Sequence, residues 1–250
     1  MKKIPFILFT LTFFYLLSNF LAPLLLEPGT VENLNGGANR VDYLEKWKNM
    51  ASDGHVFEAF IYLFGDFNCH QKHIRSFEIH GNQMPICARD IGIFTGATIG
   101  FFLLFFATPF VDFYKTFFSI FPLKIKSHPF VKRHRKILFF GIMLLAILPI
   151  GVDGTYQLIS GKESTNFMRM VTGVLFGAPM AAAFGAFLMS GLDPSFGNER
   201  DRDDRTLPEE SISLIKKETT QENKNALIKK EKQIESSERK LAYKVKRNNK

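Results

Sequence analysis

Apolar residues gather in four long runs, at 4–26, 91–113, 137–152 and 167–192, and beyond 192 the chain turns almost wholly polar and charged. A helix needs about 20 apolar residues to cross the ~30 Å of hydrocarbon in a bilayer. Three runs meet that length, and the third meets it if its helix continues through the polar DGTYQLIS that follows. The first run follows Lys2 and Lys3. It is longer than the roughly 7–15 apolar residues of a signal peptide and lacks a small-x-small site before Glu27, which predicts an uncleaved anchor. A shorter apolar segment, VFEAFIYLFGDF at 56–67, carries Glu58 and Asp66 and predicts an interfacial or partly re-entrant helix. The pattern predicts an all-α, polytopic integral membrane helix bundle of four transmembrane spans. It divides the chain into an anchor (1–26), a polar loop bearing the interfacial helix (27–90), a three-span core (91–192) and a charged, largely disordered tail (193–250).

The formal net charge of +8 changes this picture only when it is read by segment. The connector 115–136 has seven Lys/Arg and no acid, whereas 27–87 has five basic against eight acidic residues. The loop 153–168 has a single lysine before Arg169. The positive-inside rule then places both termini and the 115–136 connector in the cytoplasm, with the other two loops outside the cell membrane. The basic terminus ERKLAYKVKRNNK suits anionic headgroups at about 1 kcal/mol per basic residue. It lacks the aromatic interleaving or folded reader that would give a clear nucleic-acid signal.

Small residues recur every fourth position in two spans: Gly92, Gly96 and Gly100 in the second, and Gly173, Gly177, Ala181 and Gly185 in the fourth. Such rows let helix backbones approach closely in lipid, so these two spans are expected to pack together. Arg169 stands one row above Gly173, and Arg89 and Asp90 stand at the head of the second span. Asp153 and Gln157 share a face one turn apart. The polar groups are therefore expected to converge at one mouth of the bundle, with Asp90 paired to Arg169 and Asp153 to Arg89 or Arg75. Charges at that depth default to a functional role, although residues at helix ends also serve as plain anchors in the headgroup layer.

The stretch CHQKHIRSFEIHGNQMPICARD, 69–90, concentrates the candidate chemistry, including both cysteines of the chain. A Cys69–Cys87 disulfide would suit the exterior and contribute about 3 kcal/mol through the unfolded state. A metal site is the alternative, with Cys69, His70, His73, Cys87 and Asp90 as ligands and His80 in reserve; mixed sulfur, nitrogen and oxygen donors point to zinc. A nucleophilic Cys69 beside His70 is a third arrangement. Arg75, Arg89 and Arg169, with Gln157, form a substrate-binding set, because guanidinium groups grip phosphate or carboxylate bidentately. Asp90 and Asp153 are the candidate catalytic acid/base pair or orient the arginines. Ser164, Thr165 and Asn166 fit a helix N-cap that could also face an anion.

Taken together, Cys69-His70-Gln71, Arg75-Ser76-Phe77, Cys87-Ala88-Arg89, Asp153-Gly154 with Gln157, and Arg169 with Thr172-Gly173 resemble the uncharacterised membrane-protein family termed domain of unknown function 2085. The resemblance spans roughly residues 65–190. It implies a membrane protein and brings no established activity, so whether the chain is an enzyme is left to the site. The leading expectation is a protein that binds, and by extension processes, an anionic lipid or lipid-linked phosphate, with membrane lipid as its partner. Two other classes fit the same residues: a small transporter or channel component, and a non-catalytic scaffold whose outer loop is braced by a disulfide or metal. The first predicts polar residues deep in the spans, and Thr95, Thr98 and Ser190 are about all the sequence supplies.

Overall fold

Helix follows each hydrophobic run in the computed structural model, which describes residues 3–37 and 40–191; the tail expected at 193–250 lies outside the described residues. The first span is α1, Lys3–Leu25. After it come two shorter helices, α2 (Leu44–Ser52) and α3 (Val56–Asn68), and a small antiparallel hairpin of β1 (Glu78–Ile79) and β2 (Asn82–Gln83). The second span is α4, Ala88–Leu103, extended by a 3-10 turn at Leu104–Phe106. Short helices α5 (Phe113–Phe118) and α6 (Leu123–Lys126) form the connector. The third and fourth spans are α7, Pro129–Ser160, and α8, Asn166–Gly191. These four long helices are the ones long and apolar enough to cross a membrane among the described residues.

The third span does continue through DGTYQLIS: α7 covers 32 residues, kinked at His134 where φ −113° and ψ 24° leave the helical region, and the part from the kink to Ser160 rises about 39 Å. It starts on Pro129, whose missing N–H costs nothing in the first turn, and it stops at Gly161, whose φ of +66° takes the left-handed C-cap position. Its outward side chains, such as Leu144, Leu145 and Ile159, are exposed, as the lipid-facing side of a span should be.

The second and fourth spans form the seam of the bundle. They run parallel: Gly92 lies against the Met170 carbonyl, Gly96 against Val174, Gly100 against Ala178, and Gly173 and Gly177 against the Arg89 and Ile93 carbonyls. A Cβ at any of these positions would overlap opposing backbone, so the expected glycine rows are interlocked along the contact. At the end away from the polar loop, Phe117, Phe118 and Phe139 join Leu104, Ala182 and Ala186 in an apolar cluster.

Residues 27–37 and 40–87 form a headpiece whose apolar core also takes in Ala22 and Leu26 at the end of the first span. Trp47 stacks on Tyr62 with ring centroids 5.1 Å apart, packed with Leu34, Met50 and Ala59. Asp66 is fully buried because its carboxylate accepts from the Asp42 and Tyr43 amides and from Trp47 Nε1 at 3.0 Å. Glu58 is also buried on α3, while Val56, Phe60, Phe64 and Phe67 of the same helix are exposed. The helix is thus amphipathic, too short to span, and turns its charged side inward. Buried amides tie the headpiece to the bundle: Asn82 donates to the Pro23 carbonyl at the end of α1, and Gln71 donates to the Pro85 carbonyl just before α4. Gln83 of β2 ties the hairpin to the segment after α3 by donating to the Gln71 carbonyl at 2.7 Å.

Candidate functional site

Four arginine- and acid-bearing segments meet where the headpiece covers the bundle. Arg89 comes from the first turn of α4, Asp153 and Gln157 from the last turns of α7, Glu163 and Ser164 from the loop that follows, and Arg169 from the first turn of α8. Arg75 descends from the headpiece. Thr165 caps α8, its hydroxyl accepting from the Met168 amide, and Asn166 donates to the Ser76 carbonyl at 2.9 Å, pinning the helix start beneath the headpiece.

The ionic contacts form a chain. Arg89 pairs with Asp153, and both Arg75 and Arg169 pair with Glu163. Gln157 links the two halves: its amide donates to Asp153 Oδ2 at 2.7 Å and its oxygen accepts from Arg169 at 2.8 Å. The Ser164 hydroxyl accepts from Arg169 Nε at 3.1 Å and donates to Asp153 Oδ2 at 3.3 Å. The hydrogen bond from Arg75, reinforced by that from Arg169, holds the Glu163 carboxyl below its ordinary range. Arg169 is only 1% exposed, yet its Nη1 has no hydrogen-bond partner among the described residues. A buried guanidinium with an idle donor is costly unless something else meets it.

Beside this chain, the C-terminal end of α3 meets the N-terminal end of α4. Cys69 is the C-cap of α3, and Cys87 is the N-cap of α4. Cys87 donates its backbone N–H to Cys69 Sγ at 3.2 Å, and its own sulfur lies 3.1 Å from Asp90 Oδ2. Both cysteines are free thiols in this structure, and the ligating atoms of Cys69, Cys87 and Asp90 all lie within 4.8 Å of one another. Hydrogen bonding with Cys87, added to by burial, pushes the Cys69 thiol well up.

A cavity of about 160 Å³ opens between the two groups, lined by Arg75, Arg89, Arg169, Gln157, Cys87 and Asp90, with His70, Lys72 and Asn68 completing its wall. On the outside of the bundle, an apolar groove of about 710 Å³ runs between α7 and α8, lined by Leu148, Val152, Tyr156, Met168 and Thr172. Asp153 and Glu163 line the groove, while the arginines they pair with line the cavity. Three ion pairs, made by two carboxylates, therefore form the wall between an apolar slot and a cationic pocket.

The expected residues gather with two corrections. Asp153 does pair with Arg89, but Arg169 and Arg75 turn to Glu163, leaving Asp90 against the Cys87 thiol. His73 stands apart, 3.3 Å from Glu78, and is not within ligand range of the cysteines; His70 reaches the cavity wall. Glu163 was absent from the sequence-based set. It sits in a loop, outside any helical spacing, and no periodicity aims it at Arg75, 88 residues away.

The family model described as "Predicted membrane protein (DUF2085)" matches residues 69–183. An uncharacterized protein of Methanocaldococcus jannaschii is 30% identical over 179 residues, covering 71% of this chain and 87% of that protein. A second uncharacterized protein, from Methanothermobacter thermautotrophicus, is 28% identical over 113 residues, 45% of this chain and 80% of its own length. No solved structure matches.

Proposed function

The chain belongs to the DUF2085 family of predicted membrane proteins, and on that premise we propose that it binds an anionic lipid or lipid-linked phosphate where the headpiece meets the bundle. The observation that carries this reading is Arg169, buried with an unpartnered Nη1 on the wall of a cavity that Arg75 and Arg89 also line. Three guanidinium groups face two paired carboxylates there, so an oxyanion finds both charge and free donors. The groove between α7 and α8 supplies a place for the hydrocarbon, directly across the ion-pair wall from the headgroup.

In this reading both termini lie in the cytoplasm and the headpiece lies outside the cell membrane, an orientation that the basic 115–136 connector supports. Asp153 orients Arg89, and Gln157 orients Arg169 while itself lining the cavity. The α4–α8 seam, closed by interlocked glycines, leaves no polar path between those helices and favours binding over transport. Native mass spectrometry of the detergent-extracted chain tests the proposal. Retention of phosphatidic acid in preference to phosphatidylcholine is expected, and equal retention of both lipids would refute it.

A further inference from the structure

We propose that Cys69, Cys87 and Asp90 form a zinc site whose fourth position opens into the arginine cavity. Their ligating atoms already lie within 4.8 Å of one another. A tetrahedral zinc, with sulfur at about 2.3 Å and oxygen at about 2.0 Å, needs its ligands roughly 3.5–3.8 Å apart. Small side-chain adjustments close that difference.

The ligands stand on fixed backbone. Cys87, the N-cap of α4, and Asp90, in its first turn, are three residues apart and their side chains meet at 3.1 Å. Cys69 is held opposite by its own amide, which donates to the Gly65 carbonyl, and by the Gln71 to Pro85 bond that joins the two segments. Gly65 lies so near the Pro85 carbonyl that no side chain fits between them. The Cys87 N–H directed at Cys69 Sγ is the kind of outer bond that orients a thiolate ligand.

Charge points the same way. Asp90 has no basic partner among the described residues, although three arginines line the same cavity. Those arginines pair with Asp153 and Glu163, and none of them with Asp90. A carboxylate facing two sulfurs, passed over by the nearby guanidinium groups, lacks a cation. Two soft sulfurs and one carboxylate oxygen in tetrahedral reach suit zinc over magnesium or calcium, which take oxygen ligands. Zinc displaces the two thiol protons to solvent, leaving two thiolates and one carboxylate around the dication. Three protein ligands and one open position is the arrangement that leaves room for a water or an oxyanion, here supplied from the cavity side.

The site stands independently of lipid binding, because its test uses the metal alone. The full chain is purified in detergent with thiols kept reduced, equilibrated with zinc, freed of unbound metal by gel filtration and analysed for zinc. One zinc per chain is expected, lost in Cys87→Ser and in Asp90→Asn. Cobalt loaded into the unmutated chain should give a near-ultraviolet sulfur-to-cobalt charge-transfer band, a signature that does not depend on any variant folding. A zinc-free chain, zinc retained by both variants, or a cobalt spectrum without that band overturns the proposal. So does a chain that, extracted without reductant, resists alkylation and is two hydrogens lighter, since the two sulfurs are then bonded to each other.

Discussion

Glu163 accepts from Arg169 six residues along the chain while also holding Arg75 from the headpiece. One loop carboxylate thus joins the head of the fourth span to the domain that covers it. It also stands where an anionic ligand would have to compete, because both arginines line the cavity. Glu163→Gln removes the competing charge, and affinity for anionic lipid should rise several-fold. The same change leaves Arg169 buried without its anion and should lower stability by about 1–3 kcal/mol, less than a fully buried pair because Glu163 is partly exposed. Lipid titration and thermal melting of the variant read the two effects separately; weaker binding would show that Glu163 positions the arginines and does not compete.

Acid should loosen the same joint. The Glu163 carboxyl is held below its ordinary range by Arg75 and Arg169, so its folded pKa lies below its unfolded one. Stabilisation from the pair is complete above the unfolded value of about 4.3 and is lost as pH falls through the depressed folded value. Melting temperature of the unmutated chain should drop more steeply below about pH 4 than that of Glu163→Gln. Parallel curves would contradict the assignment.

The seam between α4 and α8 should tolerate no side chain. A Cβ at Gly96 would come within 2.5 Å of the Val174 carbonyl oxygen and 2.8 Å of the Ala178 amide, both backbone atoms that cannot rotate away. Gly96→Val should therefore cost about 3 kcal/mol, the upper end of usual overpacking. A melt in detergent would show it as a clear fall in midpoint, and an unchanged midpoint would mean that the helices separate easily.

Asp66 anchors the headpiece. Replacement by alanine strands the Asp42 and Tyr43 amides and the Trp47 indole N–H, at a cost of about 3 kcal/mol or more. Trp47 is the only tryptophan of the chain and is almost fully buried, so its emission reports on this core alone. Asp66→Ala should shift that emission to the red and expose 27–87 to protease while the spans stay helical.

The bundle was legible because its signals are local. Apolar run length marked all four spans, and the four-residue glycine rows identified which two would interlock. Helix phase also placed Arg89, Asp153, Gln157 and Arg169 at one mouth, which is where the Arg89–Asp153 pair forms. The headpiece was far less legible. Its order comes from buried amides such as Asn82 and Gln83 reaching backbone about fifty residues away, a contact with no periodic trace. The hairpin depends on the positive φ of His80 and Gly81, and the pairing of Arg75 with Glu163 depends on how that headpiece settles. Long-range polar geometry of this kind is visible only once the chain is folded.

The proposal that the cavity takes an anion rests most directly on Arg169. Its guanidinium is buried, shared among Glu163, Gln157 and Ser164, and still holds one idle donor. The decisive measurement is the affinity of the purified chain for phosphatidic acid in nanodiscs of otherwise zwitterionic lipid, compared between the unmutated protein and Arg169→Lys. Lysine keeps the charge but cannot offer the planar fork, and a loss of about tenfold or more in affinity is expected. Equal affinity in the two proteins, with both folded, would mean that the lipid binds elsewhere and that the arginine cluster serves only to hold the headpiece on the bundle.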